Sequence, residues 1–392
     1  MSLPLSDIKV VDFATVYAGP CTAMMLADQG AEVIKIESPG ARAAGPLPST
    51  TQGLPFIAFN RNKRSIALDI TKEAGKQAAY RLCEWADVLI INMRTSTRQR
   101  RGFTYEELSA INPRLIYVSL TGYGDLGPEA HLPGADITLQ ARIGDIAERQ
   151  LAGQPPPPHT QLFHFDMATS MVTSYAITLA LRERHKTGLG QRIETSLLQT
   201  GLSLHACQMT TIAGRDERYG GPITGLPQSY LCGDGRYILS QHINLDRRWD
   251  AMCEGLGAVE LTSDPRFASL AGRQEHTGEI AAILARLFLT KPAAEWERIL
   301  KGHEHMMSMV RPIEEVADDP QVIANGMLTR FDQPGVGEVI GVAPPFRMSA
   351  TADTPWLRRP VPTIGQHTDE VLRDLGYGPE EITELRTERA AG

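Results

Sequence analysis

The first 120 residues alternate short apolar runs with helix-forming segments, and this alternation restricts the fold more than any other feature of the chain. "IKVVDF" is an apolar run of strand length. In "YAGPCTAMMLADQG", Pro20 stands where a helix starts and Gly30 where it stops, and "EVIKIE" returns as a second strand. "RSIALDI", the helical "KEAGKQAAYRLCEWA", "DVLIIN" and "RLIYVSLTGYG" continue the pattern. Strands linked by helices predict an α/β fold with a parallel sheet covered on both faces. Such sheets bind ligands beyond the C-terminal ends of their strands.

The chain has 392 residues, 42% of them hydrophobic, which is more than one small core needs and predicts two domains. After the extended loop "LAGQPPPPHTQ", residues Met167 to Leu181 carry no charge, and "RERHKTGLG" then supplies basic residues and a glycine stop. This predicts a buried helix with Asp166 in its first turn. The loop "GGPITGLP" marks a boundary, so residues 1–224 form the first part of a large domain. "SYLCGDGRYILS" reads as a hairpin turning at Gly233, Asp234 and Gly235, and amphipathic helices follow, giving a small α/β domain over residues 225–315. Residues 316–392 return to strand-like and helical segments.

The net charge of -7, from 46 acidic and 39 basic residues spread along the chain, gives no footprint for nucleic acid. Five cysteines without CxxC spacing suggest neither a disulfide framework nor a zinc site, and reduced thiols fit a cytoplasmic protein. Asp7 and Asp12 interrupt the N-terminal region where a signal peptide needs an apolar core, and no stretch reaches the ~20 apolar residues of a membrane span, so no membrane partner is expected.

Glu37 at the end of the second strand invites a dinucleotide reading. The first turn, however, is Tyr17-Ala18-Gly19-Pro20 and lacks GxGxxG, so no nicotinamide cofactor is expected. His303 and His305 have no ligand cluster around them, so no metal is expected either, and a G-x-S-x-G elbow is absent. Asp166 has two readings: a helix N-cap, or an ionised, poorly hydrated carboxylate beside Phe163 and Phe165 that serves as a nucleophile. His164 reads as structural. The basic runs "NRNKRS" (Arg61, Lys63, Arg64) and "NMRTSTRQRR" (Arg94, Arg98, Arg100, Arg101) are either ion-paired or solvated surface, or else phosphate ligands at the sheet edge.

Taken together, "IKVVDFATVYAGPCTAMMLADQGAEVIKIESPG", "FNRNKRSIALDI", "ADVLIIN", "INPRLIYVSLTGYGDLGP", "LALRERHKTGLGQRIETSLL" and "IGQHTDEVLRDLGYGPEEI" resemble the class III CoA-transferase family, to which alpha-methylacyl-CoA racemases are related. The resemblance runs in order from residue 8 to about residue 383. It implies a Rossmann-like large domain built from both chain ends, with residues 316–392 completing it, an inserted small domain, and an interlocked homodimer. It implies coenzyme A as the shared ligand, an acyl-CoA and a carboxylic acid as substrates, and Asp166 as the nucleophile. The coenzyme A site would draw on Tyr17 and Ala18, on Leu68 to Thr71, on Asn92, Met93 and Arg94, on Arg100, and on Ala135 and Asp136 in the loop from Pro133.

The chain departs from the family at several of these places. Tyr17 replaces a Gln near the acyl group, and Ser38 and Thr71 occupy positions that can be basic, so Arg94, Arg98 or Arg101 are the substitute phosphate ligands. The racemases' second base falls at Ala135 and their glutamate at Asn244, so the two-base chemistry of racemization has no second base there. An acyl-CoA racemase, or a non-catalytic CoA-binding dimer, is the alternative reading. Ser170 replaces a glycine four residues after the aspartate, and Met306, Met307 and Met309 suggest a bulky apolar acyl chain.

Overall fold

The computed structural model describes residues 2–39, 53–150, 153–157, 162–215, 226–241, 245–303 and 305–392. Residues 220–225 of the "GGPITGLP" loop, Pro158 and Asn244 lie outside them, and with them the expected domain boundary and the racemase-like position. The described residues form two compact units, one of Met1–Met209 with Gly326–Gly392 and one of Thr210–Asn325. Among the described residues, no helix is long and apolar enough to cross a membrane.

The first unit is built on β1 (Lys9–Phe13), α1 (Ala18–Asp28), β2 (Glu32–Glu37), α2 (Gly53–Phe59), β3 (Lys63–Ala67), α3 (Glu73–Trp85), β4 (Val88–Ile91), α4 (Thr95–Arg101), α5 (Tyr105–Ile111), β5 (Ile116–Thr121), α6 (Asp136–Arg142), α7 (Asp145–Glu148), α8 (His164–Thr187), β6 (Gln191–Ser196) and α9 (Leu197–Leu204). The six strands pair in parallel in the order β3-β2-β1-β4-β5-β6. The direction of chain progression therefore reverses between β1 and β4, which opens a crevice beyond their C-terminal ends.

The apolar runs explain why both faces are covered. Alternate residues of a strand point to opposite faces, so Val10, Val88 and Ile90 pack with Leu26 of α1 and Ile177 of α8, while Val11, Leu89 and Ile91 pack with Leu82 of α3. That second face also holds Val371, Leu372, Ile382 and Leu385 from the C-terminal helices Thr368–Asp374 and Pro379–Thr387, so both chain ends share one core.

The helix containing Asp166 begins at His164, with Phe163 as its N-cap and no side-chain cap bond. Asp166 is thus the third helical residue, and the N-cap reading of it is incorrect. Gly188, at φ +78°, stops the helix where the sequence placed the stop. The expectation of a fully buried helix also needs correction within one chain. Polar Thr169, Ser170 and Thr173 face inward, while Met171, Val172, Tyr175 and Leu179 are exposed.

In the second unit, β7 (Ser229–Leu231), β8 (Tyr237–Ser240) and β9 (Met307–Met309) form an antiparallel sheet, the first two as the expected hairpin. Its core joins Tyr230, stacked 4.3 Å from Phe288, with Trp249 and Trp296 from flanking helices. Met307 and Met309 belong to this core, which accounts for them by packing alone, whereas Met306 is exposed.

Candidate active site

A cavity of about 470 Å³ lies in the crevice beyond β1, β4 and β5 of the first unit. Its walls come from the β1–α1 turn (Val16, Tyr17, Ala18), from the chain leaving β4 (Asn92, Met93, Arg94), from the end of β5, from the 130–137 segment including Ala135 and Asp136, and from Phe163, Asp166 and Leu197. Of the residues assigned by resemblance, Tyr17, Ala18, Asn92, Met93, Arg94, Ala135, Asp136 and Asp166 therefore come together. Leu68, Thr71 and Arg100 do not line this cavity. Leu68 is buried at the end of β3, bridged to Ala391. Thr71 is exposed, its N–H bonded to Asp69, and Arg100 is exposed on α4.

The approach of two backbones shapes one wall. A Cβ on Gly122, just past β5, would come within 2.5 Å of the Gly134 Cα, so both positions need glycine for the 133–136 loop to close onto the sheet.

Asp166 reaches the cavity because the start of α8 is fastened from three sides. Its backbone N–H donates to Asp136 Oδ2 at 2.8 Å, and the other oxygen of Asp136 accepts from Gln140. The buried Ser170 hydroxyl lies 2.8 Å from Asp166 O and 2.9 Å from Ala18 O, joining α8 to the first residue of α1. Asp145 accepts from His164 Nε2 at 3.3 Å, His205 Nε2 at 3.2 Å and Arg149 at 2.6 Å, tying α7 to α8 and to the end of α9. His164 is thus engaged in fastening the helix start and is not among the residues that line the cavity.

The Asp166 carboxyl is pushed up to about 7, first by burial and then by the charge of Asp136, with the Ala18 N–H opposing both as a hydrogen-bond donor. This corrects the expectation of a carboxylate held ionised by the helix terminus. The first-turn amides of α8 do not outweigh the loss of water.

The β1–α1 turn is held rigidly. Asn92 accepts from the Thr15 N–H at 3.0 Å and donates to Thr15 O at 2.8 Å, so its side chain is engaged by the turn. Asp12 accepts from the Ala14 N–H at 3.0 Å, Lys35 donates to Ala14 O at 2.7 Å, and Lys63 donates to Pro20 O at 2.8 Å. Between these anchors Val16 has φ +72°, a left-handed conformation that strains a β-branched residue.

The two basic runs part company here. Lys63 sits fully buried 2.8 Å from Asp12, Arg61 makes a forked pair with Asp28, and Arg64 bonds Glu370 at 2.8 Å and Asp374 at 2.6 Å. In this run the cations support the fold. Arg98 is likewise buried and paired with Asp125 at 2.6 Å, which removes it as a substitute phosphate ligand. Arg94 and Arg100 remain exposed cations on either end of α4.

Sequence reasoning missed the Asp12–Lys35–Lys63 cluster, the Asn92 clamp and the contact of Phe59 with Tyr17. A charged residue inside an otherwise apolar strand run, as Asp12 is in "KVVDF", was the one available signal. Among the described residues, no group of His, Cys, Asp and Glu side chains is arranged to hold a metal ion.

The profile of CoA-transferase family III matches residues 5–368. The chain belongs to this family. This family III CoA-transferase is 30% identical to a formyl-CoA:oxalate CoA-transferase of Escherichia coli over the full length of both chains. It is 27% identical to a (R)-2-hydroxy-4-methylpentanoate CoA-transferase of Clostridioides difficile, covering 97% of this chain and 98% of the relative. The crystal structure of a CAIB/BAIF family protein from Brucella suis superimposes with a TM-score of 0.81 at 30% identity, covering 96% of this chain and all of the other.

Proposed function

We propose that this CoA-transferase moves coenzyme A from an acyl-CoA to a carboxylic acid with Asp166 as the covalent nucleophile. The observation that carries this reading is a half-buried carboxylate at the sheet's switch-point crevice that has no paired cation among the described residues and accepts the Ala18 N–H at the N-terminus of α1. An Asp166 oxygen attacks the thioester carbonyl carbon, the C–S bond breaks, and coenzyme A leaves as its thiolate, giving an aspartyl–acyl mixed anhydride. The thiolate attacks the aspartyl carbonyl and releases the donor acid. The acceptor carboxylate then attacks the aspartyl thioester, and the thiolate returns to the acceptor carbonyl, freeing Asp166. The thioester's energy is conserved through covalent steps without a nucleotide.

The Ala18 N–H, at the positive end of an 11-residue helix, supports a role in stabilising oxyanions formed at Asp166. Arg94 and the arginines at the end of α4 suit the phosphates of coenzyme A. Asn92 acts through the turn it holds. The reading includes a homodimer: Met171, Val172, Tyr175 and Leu179 make an apolar outer face on α8 that a second copy would cover. It also includes the cytoplasm as its place, in keeping with the five free cysteines.

The test is peptide mapping after incubation with an acyl-CoA and hydroxylamine, which converts an activated aspartyl carbonyl into a hydroxamate. Hydroxamate confined to the Asp166 peptide, and absent in Asp166→Asn, is the expected result. Transfer activity retained by Asp166→Asn would sink the mechanism.

A further inference from the structure

The acyl end of the site is lined by rings and by negative charge. Tyr17 and Phe163 both border the cavity with Asp166, their ring centroids 4.5 Å apart and their planes tilted by 37°. Phe59 of α2 packs edge-on against Tyr17 at 5.5 Å, which backs the ring and fixes its orientation. Asp136 is the second carboxylate of the wall.

Four cations of the first unit are already engaged. Lys35 and Lys63 share Asp12, Arg61 is held by Asp28, and Arg98 by Asp125. Among the described residues that line the cavity, Arg94 is the single cation, and it stands exposed at the start of α4.

From this we infer that the enzyme's acyl donor and acceptor are monocarboxylic acids with an apolar body, and that Tyr17 and Phe163 determine this specificity. The inference rests on the reading of Asp166 as nucleophile. A donor or acceptor with a second carboxylate would bring another anion to a space lined by Asp136 and Asp166, where the single cation among the described lining residues, Arg94, is the one assigned above to the phosphates of coenzyme A. Like charges at contact range in partly desolvated surroundings repel strongly. The same anion would raise the Asp166 carboxyl further above the level to which burial and Asp136 have already brought it, and so remove the nucleophile. An aliphatic or aromatic body against the two rings does the reverse, because it gains buried apolar area without adding charge.

The experiment measures the rate constant for hydroxylamine-trapped acylation of Asp166 as a function of donor concentration, for isovaleryl-CoA, phenylacetyl-CoA and succinyl-CoA. These donors share coenzyme A and differ in the acyl body, so differences report on the acyl end of the site. The expected result is that kcat/KM for the faster apolar donor exceeds that for succinyl-CoA by about 100-fold. Phe163→Arg, which adds a cation at that wall, narrows the ratio by at least about tenfold through a gain with succinyl-CoA. Tyr17→Ala narrows it through a loss with the apolar donors. The wild-type ratio decides the matter even where a variant fails to fold. Succinyl-CoA acylating Asp166 as fast as the apolar donors overturns the specificity and leaves the nucleophile standing. Acylation by none of them, with coenzyme A still binding in a calorimetric titration, removes the Asp166 reading and the specificity with it.

Discussion

Asp12 is a fully buried carboxylate and Asp166 a half-buried one that lines the cavity, and both accept a backbone N–H from the same β1–α1 turn, Asp12 from Ala14 and Asp166 from Ala18. Their surroundings then differ in charge. Burial by itself would raise the Asp12 pKa, but Lys35 and Lys63 hold it below the usual carboxylate range. Among the described residues no cation offsets the burial of Asp166, and Asp136 adds a like charge, so its carboxyl rises to about 7. Burial alone thus does not decide which way a carboxyl's pKa moves. The counter-ion does. Lys63 shows the cost on the other side of the pair, because burial brings its own pKa down to about 8 in spite of Asp12.

The sharpest way to break the comparison is to neutralise each carboxylate in turn. Asp166→Asn should lower CoA transfer by about 10⁴-fold or more, read as steady-state rate, because under the proposed mechanism no group replaces the covalent nucleophile. Its effect on stability should have the opposite sign. A carboxyl whose pKa is higher folded than unfolded contributes stability at low pH, and that contribution is lost as pH rises from the unfolded value of about 4 through about 7. At pH 8 the asparagine variant should therefore unfold at higher urea, by about 1–3 kcal/mol, with the gap closing toward pH 4. Asp12→Asn should do the reverse. It leaves two lysines buried against each other without an anion, at a cost of about 3–5 kcal/mol in urea unfolding. Equal stability changes from the two variants would show that the counter-ions do not set the difference.

Much of this contrast is invisible in the amino-acid string, and the reason is physical. The sheet was legible, because strands buried on both faces need near-continuous apolar runs such as "VVDF" and "VLII", and these runs are separated by helix-length segments. Asp166 is singled out as the candidate nucleophile by resemblance, since an aspartate in the first turn of a helix has the same composition whether it caps or reacts. The run Arg61-Asn62-Lys63-Arg64 looked as much like a phosphate site as a brace. Its partners Asp28, Asp12, Glu370 and Asp374 are brought to it from distant parts of the chain, and no local pattern announces such pairs. The outward face of α8 was misread for a related reason. An uncharged helix suggests burial, but only the packing shows that its threonines and serine face the sheet while its larger apolar side chains face out.

A smaller effect sharpens the role of Asp136. Because the charge of Asp136 helps raise the Asp166 carboxyl, Asp136→Asn should lower the pH at which Asp166 ionises. The rising limb of kcat/KM against pH, expected near 7 for the wild type, should move down by about one unit. The asparagine keeps an oxygen for the Asp166 N–H, so the bond that fastens the start of α8 stays while the charge goes; Gln140, whose amide also donates to Leu162 O and accepts from Arg149, loses only its Asp136 partner. An unmoved limb would assign the raised carboxyl to burial alone.

The smallest expected effect concerns the turn that serves both carboxylates. Val16 is held at φ +72° with its side chain 73% exposed, so the strain is not offset by burial of the side chain. A β-branched residue in this region costs about 1–3 kcal/mol. Glycine removes that cost but loses about 0.5–1 kcal/mol to backbone entropy. Val16→Gly should therefore raise stability by about 1 kcal/mol, as measured by urea unfolding. The Asn92 amide, which grips Thr15 through both its N–H and its carbonyl, is the clamp that keeps the strained turn in place. Asn92→Ala should then cost less in the Val16→Gly background than in the wild type, with a coupling of about 0.5 kcal/mol or more. Additive effects would mean that Asn92 holds a turn that would adopt its shape without it. In that case the rigidity of the Ala18 N–H beside Asp166 would come from the lysine side of the turn, through Lys35 on Ala14 and Lys63 on Pro20.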